Sequence, residues 1–584
     1  MNYRKCLNVV FSVFFVLGLN YYFFDGNDFG NRSIFNVLLL IYCIIMMNSN
    51  INVKYSDKKE SFAFSVIFSL SLIVGNVIYK YNDISMLFNN TRSVIHFFIT
   101  YIGFSAIFNK IFYIIFNKIK NINFVSKANW KIFNNQHSFL LIWILILFSW
   151  IPVYLAYYPG VLTYDSAWQT EQALGNTPYT KFHPPLHTFI WQLCLNLGSK
   201  INVDPLAIYS ILQMLFLSFV FAKVIKLLID KKSNNYFILI SILFYAINPV
   251  IAVFSFNMTK DLYFSGFFLL FVLEIVKLLS DPPDYFSSYK KWLPFFITGV
   301  FACLLRNNAL YVYIIFCFGL ILYFRDYLKN ILVLCSLPLI FIFIVNNVVY
   351  PRIGVEDGKP AEMLSVPIQQ ISRVVNVRNN ELSEKKKMKI DKFLSYDAAL
   401  NSYNPRYADC VKDTFDSLYF SENKIAFFKL WFNLFIHYPV DYISSFLSLN
   451  LPYWYIDAST VDEYSNRVYI ETGIYNNEQY ISKTRSVFPK LHEKYTHITD
   501  YDFAICNPLI VNIFSITMPF WLMLFSTFAL LYKKNYKLIM VIFPSFVLWL
   551  TYMAGPVSNF RYIFAIFIQY PLFIFLMLYN GKKI

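Results

Sequence analysis

The chain has 584 residues, of which 57% are hydrophobic, 20% aromatic and only 14% charged, with a formal net charge of +16. Soluble domains carry about a quarter charged residues, so this composition excludes an ordinary water-soluble globular protein. The basic excess does not point to nucleic acid, because many Lys and Arg residues sit in short loops beside apolar runs, the pattern that orients membrane spans.

Apolar runs near 6–24, 34–49, 62–80, 93–116 and 139–157 are the length that crosses a bilayer as a helix. Arg4-Lys5 followed by a long apolar run without a small-residue cleavage pattern reads as an uncleaved first span. Loops alternate in charge: Lys54, Lys58, Lys59 and then Lys118, Lys120, Lys127, Lys131 on one side, Asp25, Asp28 and Asp83 on the other. The positive-inside rule therefore puts the N-terminus in the cytoplasm and the loop at 158–183 outside. The run that follows, at 184–199, is too short to cross and would invert the later loops, so it reads as a helix lying on the outer surface.

Further spans follow near 206–229, 236–255, 262–279, 292–308, 310–324 and 330–349, then 508–531, 537–554 and 562–579. Basic loops at Lys277, Lys290, Lys291, at Arg325 and Lys329, and at Lys533 and Lys534 keep the parity, and both termini fall inside. The expected fold is an all-α polytopic membrane protein of about fourteen spans. Its parts are a four-span extension (1–136), a membrane module (137–349), a mainly helical external domain (350–507) and a three-span segment (508–584). Within the external domain, Phe427 to Ile436 and Tyr442 to Tyr455 read as amphipathic helices resting on the membrane.

The eight Cys have no CxxC spacing, and Cys43, Cys194, Cys303, Cys317 and Cys335 lie in apolar runs as small core residues. Cys410 and Cys506 leave one pairing open. No Walker motif, phosphate-cradling Gly-rich loop or Gly-x-Ser-x-Gly elbow occurs, so no nucleotide cofactor is expected.

Once the chain is oriented, the unusual polar residues gather at the outer face. Asp165 and His183 stand in the first large external loop, Lys260-Asp261 at an outer mouth, Arg306-Asn307-Asn308 at an outer turn, and Arg561 at the opening of the last span. Basic residues are depleted there, and ionisable residues near the apolar layer are costly, so these default to functional candidates. The bland readings are snorkelling for the cations and a helix N-cap for Asp165. A capping carboxylate stays ionised, as a general base must. His183 and His187 stand four apart across two prolines, without the HExxH pattern of a zinc site. Asp500-Tyr501-Asp502 leaves a divalent metal open. A carboxylate beside outer-face cations suits a lipid-anchored phosphate donor: Lys260, Arg306 and Arg561 bind its phosphate, and Asp165 deprotonates an incoming hydroxyl.

Asp165 and His183-Pro184-Pro185-Leu186, entering an interfacial helix after an external loop, resemble the GT-C superfamily of integral membrane glycosyltransferases. Tyr158-Pro159-Gly160 with Asp165-Ser166, Thr259-Lys260-Asp261, Arg306-Asn307-Asn308, Pro367-Ile368-Gln369-Gln370 with Arg373, Tyr403-Asn404-Pro405 with Asp409, and Tyr453-Trp454 resemble an uncharacterised bacterial branch of it. The resemblance implies a GT-C-like fold and an inverting transferase. Its donor would be a polyprenyl-phosphate-linked sugar and its acceptor a cell-envelope glycan, lipid or protein. Asp165 is then the base, with His183 beside it as catalytic. Tyr164, Ser166, Gln169, Asp261 and Trp454 are the expected substrate contacts. Ser166 follows Asp165 where the mannosyltransferases carry Glu, so their acceptor and catalytic detail do not transfer. The alternative class, a transporter or flippase of lipid-linked saccharides, would hold ionisable residues near the bilayer midplane and show related halves.

Overall fold

A computed structural model of the chain describes residues 3–24, 33–49, 59–122, 124, 130, 136–162, 164–358, 360–456, 485–498, 506–507 and 514–580. The first five helices are α1 (Tyr3–Phe23), α2 (Ser33–Asn48), α3 (Lys59–Tyr81), α4 (Thr91–Asn121) and α5 (Ser138–Ala156). Next come α6 (Tyr164–Ala173), α7 (Pro185–Ile201), α8 (Pro205–Asp230), α9 (Asn235–Ile247), α10 (Pro249–Phe254) and α11 (Lys260–Ser280). Among the described residues eight helices are long and apolar enough to cross a membrane, and shorter apolar helices, Ala309–Tyr323, Met518–Tyr532 and Tyr536–Tyr552 among them, pack beside them. The chain is thus an all-helical multi-pass membrane protein, the architecture that satisfies every backbone polar group without water.

The runs read as spans are helical over most of their described length, but two are broken. At Asn248-Pro249 the expected 236–255 span divides into α9 and α10, with the Asn248 side chain accepting from Val250 N and Ile251 N. Pro249 lacks the N–H that an unbroken helix would use. The last span divides into Phe560–Phe567 and Tyr570–Leu578, with Pro571 near the break.

α7 packs on the start of α8: its His187 and Trp191 meet Tyr209, and its Gly198 meets Pro205.

The region after 350 has its own apolar core, in which Ile368, Ile371, Val374 and Val375 of the Ser365–Arg378 helix meet Phe427 and Leu434. The Lys424–His437 helix buries Phe427, Leu430 and Leu434 and leaves Ile425, Phe428, Phe432 and Ile436 exposed. It therefore has two apolar faces, one packed in the domain and one exposed among the described residues.

The first four helices are part of the same packing. Gly75 of α3 leaves room for the Tyr455 ring, and Ser71 donates to Trp454 O at 3.1 Å. Beyond the end of α3, Asp83 faces buried Arg373 at 3.5 Å, and Ile84 N donates to Ser444 Oγ at 3.0 Å. That end of the helices, the domain end, meets the 360–456 region. At the opposite end the basic tail of α4 meets the last helices: Lys120 lies over the Tyr532 ring, and Asn580 donates to Ile122 O. Cys410 and Cys506 are both free thiols, so the pairing left open by the sequence does not form.

Candidate active site

Two short backbone segments place the two halves of the site. β1 (Val161–Leu162) and β2 (Asn257–Met258) pair in parallel, Val161 opposite Asn257 and Leu162 opposite Met258. Asp165 is three residues past this pairing and Lys260 two residues past it. The tether thereby brings together residues 95 apart in sequence, and Lys260 Nζ donates to Asp165 Oδ2 at 2.6 Å. The turn entering β1 needs Gly160, whose φ is +140° and whose missing side chain makes room for Ser210 Oγ.

A buried polar network fixes this arrangement from below. Gln213 Nε2 donates to the carbonyls of Phe254 (3.2 Å), Ser255 (3.1 Å) and Asn257 (2.8 Å), holding the turn between α10 and β2. Tyr209 donates to Gln213 Oε1 at 3.0 Å and lies 2.7 Å from His187 Nε2, while His187 Nδ1 lies 2.9 Å from Gln169 Oε1. Ser166 donates to Met258 O, and Trp191 Nε1 donates to Thr170. Ser166 and Gln169, expected to touch substrate, are therefore fully buried and hold α6 against α7 and the β2 turn. Gln213→Leu strands three carbonyls at nearly constant volume. It is expected to cost on the order of 1–3 kcal/mol, read as a lower thermal midpoint of the purified chain in detergent.

Arg561 Nη1 lies 3.2 Å from the same Asp165 Oδ2. Asp261, fully buried, pairs with Arg306 Nη1 and lies 3.8 Å from Arg561 Nε. Its carboxylate also accepts from Thr259, the residue that caps α11. Asn559 caps Phe560–Phe567 in the same way, its side chain accepting from Arg561 N. Lys260 and Arg561 thus sit in first helical turns, where the helix dipole disfavours a cation and favours an anion. The Arg306 guanidinium lies over the rings of Tyr562 (4.6 Å), Tyr552 (5.1 Å) and Phe264 (5.7 Å), and its Nε donates to Asn308 at 2.9 Å.

His183 completes the group. Lys260 Nζ lies 3.2 Å from its Nδ1. An ammonium has donors only, so Nδ1 accepts and the neutral ring carries its proton on Nε2. That Nε2 is buried, on a residue 3% exposed, and has no hydrogen-bond partner among the described residues. Burial and then the Lys260 charge push His183 down to about 3, so the ring is neutral near neutral pH. Burial would raise the Asp165 carboxyl, but the Arg561 and Lys260 charges outweigh it and hold it well below the usual carboxylate range.

The 360–456 region reaches the site through the loop before Arg561. Ala408 N donates to Pro556 O, Asn450 to Met553 O, Ser558 to Leu449 O, and Asn559 N to the Tyr453 hydroxyl. On the other flank, Thr180 pairs with Glu356, Lys181 with Asp357 at 2.8 Å, and Asn307 donates to Lys181 O. The domain therefore positions both Arg561 and the loop carrying His183.

Of the residues singled out by sequence, Asp165, His183, Lys260, Asp261, Arg306 and Arg561 come together. Trp454 does not join them. It packs between α3 and the Met518–Tyr532 helix, where its carbonyl accepts from Trp521 Nε1 at 3.0 Å, and its neighbour Tyr453 is the one that reaches the Arg561 cap. Tyr164 heads α6 with its side chain outside the described residues, as are Asp500 and Asp502. Among the described residues no three His, Cys, Asp or Glu side chains gather to hold a metal. Tyr552, Tyr562 and Gln213 were not singled out by sequence. Gln213 carried a signal, an amide inside an apolar run four residues from Tyr209, whereas the two tyrosines are hidden among the chain's 45.

Residues 175–583 match the family of unknown function DUF6020, and the chain belongs to that family. Among curated proteins and solved structures, none matches it.

Proposed function

We propose that the chain is a membrane glycosyltransferase that moves a sugar from a polyprenyl-phosphate donor to a hydroxyl of a cell-envelope acceptor. The observation that carries this reading is the single cluster at the domain end. There two carboxylates, three cations and two helix N-termini converge beside the buried His183 Nε2, which has no hydrogen-bond partner among the described residues. In this reading the cytoplasm lies at the opposite end, about fourteen spans hold both termini there, and the site is extracytoplasmic.

The acceptor hydroxyl attacks the anomeric carbon from the face opposite the phosphate. Its oxygen forms the new glycosidic bond, its proton passes to Asp165, and the C–O bond to phosphate breaks with the electron pair leaving on the phosphate oxygen. Lys260, Arg306 and Arg561 stabilise that developing charge. One attack on the opposite face inverts the anomeric centre. Asp261 has no open face for substrate and acts as a positioning residue for two of the cations. A transporter is disfavoured because the ionisable residues sit at helix ends beneath a folded domain, not at mid-span.

The test is binding of undecaprenyl phosphate to the full chain in nanodiscs, with mass analysis of envelope glycans from cells with and without the protein. Lys260→Ala, Arg306→Ala and Arg561→Ala should each weaken binding by about ten- to a hundredfold, the worth of one hydrogen bond to a charged group. Unchanged affinity in all three removes the phosphate site, and an unchanged glycan profile removes the transfer.

A further inference from the structure

Resting on this reading, we propose that Asp165 occupies the place of the donor phosphate, so that donor entry exchanges one anion for another and releases the base. The donor must then bind before the acceptor can react.

The geometry separates the cations into a fixed one and two exchangeable ones. Arg306 is tied to fully buried Asp261, bonded to Asn308 and flanked by three aromatic rings, so it can meet a phosphate while keeping its own carboxylate partner. Lys260 and Arg561 instead converge on one oxygen, Asp165 Oδ2, at 2.6 and 3.2 Å. Asp165 is on the short helix α6 and is 18% exposed, the only carboxylate of the cluster that reaches solvent.

The charges also have room for one more anion. Lys260, Arg306 and Arg561 against Asp165 and Asp261 leave one positive charge, and a phosphodiester carries one negative charge. His183 Nε2–H is a further donor, with no acceptor among the described residues. A carboxylate gripped by two cations is a poor base, because the proton it must take competes with both ion pairs. When a phosphate takes up Lys260 and Arg561, that grip is lost at the moment the substrate is in place.

The consequence runs against the usual effect of deleting a catalytic group. Asp165→Asn, nearly isosteric, should bind undecaprenyl phosphate at least about fivefold more tightly than the wild-type chain, the low end of coupling between linked sites. Glu171→Gln removes the same charge from α6 without touching the cations and should leave affinity unchanged. On the wild-type chain in the same nanodiscs, adding the lipid should shift a carboxylate stretching band in the infrared difference spectrum, and Asp165→Asn should lack that shift. If Asp165→Asn binds no more tightly, if Glu171→Gln tightens binding equally, or if the carboxylate band does not move, the exchange is overturned. If the wild-type chain does not bind the lipid at all, the glycosyltransferase reading falls with it.

Discussion

Asp165→Asn is expected to lower sugar transfer by about two to four orders of magnitude, the contribution of a positioned general base. The protein should remain in the membrane at its normal level, since the amide keeps the shape of the carboxylate. Transfer of radiolabelled sugar from polyprenyl phosphate by membranes carrying each form measures it, with the protein quantified alongside. Full transfer by the variant would refute the assignment of the base. Taken with the binding test, the variant should hold donor more tightly while turning it over far more slowly. A purely structural Asp165 would move both quantities in the same direction.

Asp261→Ala is the second large effect, and it falls on stability. Asp261 is fully buried and faces Arg306, Arg561 and Thr259. Removing one partner of a buried ion pair leaves the other charge uncompensated, at a cost of about 3–5 kcal/mol. The purified chain should lose its folded state in detergent at a distinctly lower temperature than the wild-type chain, and Asp261→Asn should recover part of the loss through its remaining oxygen. Equal thermal midpoints for wild type and Asp261→Ala would show that the two arginines do not depend on it.

Much of the fold was legible because a bilayer imposes its thickness on the sequence. Helical spans, their alternating basic ends and the short α7 could all be read from run length and charge. The breaks at Asn248-Pro249 and near Gln569 lay inside runs whose hydropathy is continuous, so composition alone passed over them. The ionisable members of the site were legible for a related reason: in the orientation expected from sequence, Lys260, Arg306 and Arg561 fall on the side where the charge rule disfavours them. Roles within α6 were not. Ser166 and Gln169 look in sequence like solvent-facing partners of Asp165, and only the packing of α6 against α7 shows that they face inward. Trp454 and Tyr453 were interchangeable as aromatic candidates, and one residue of helical rotation decides which of them reaches the Arg561 cap.

The two-residue pairing of β1 with β2 has a consequence for how such a chain can diversify. It is made by main-chain atoms, so the span between Asp165 and Lys260 is a backbone dimension, indifferent to side-chain identity at Val161, Leu162, Asn257 or Met258. Loops on either flank can lengthen, shorten or change their chemistry while Asp165 and Lys260 stay at one separation. The pairing works as a caliper, set once by the peptide and left undisturbed by whatever drifts around it.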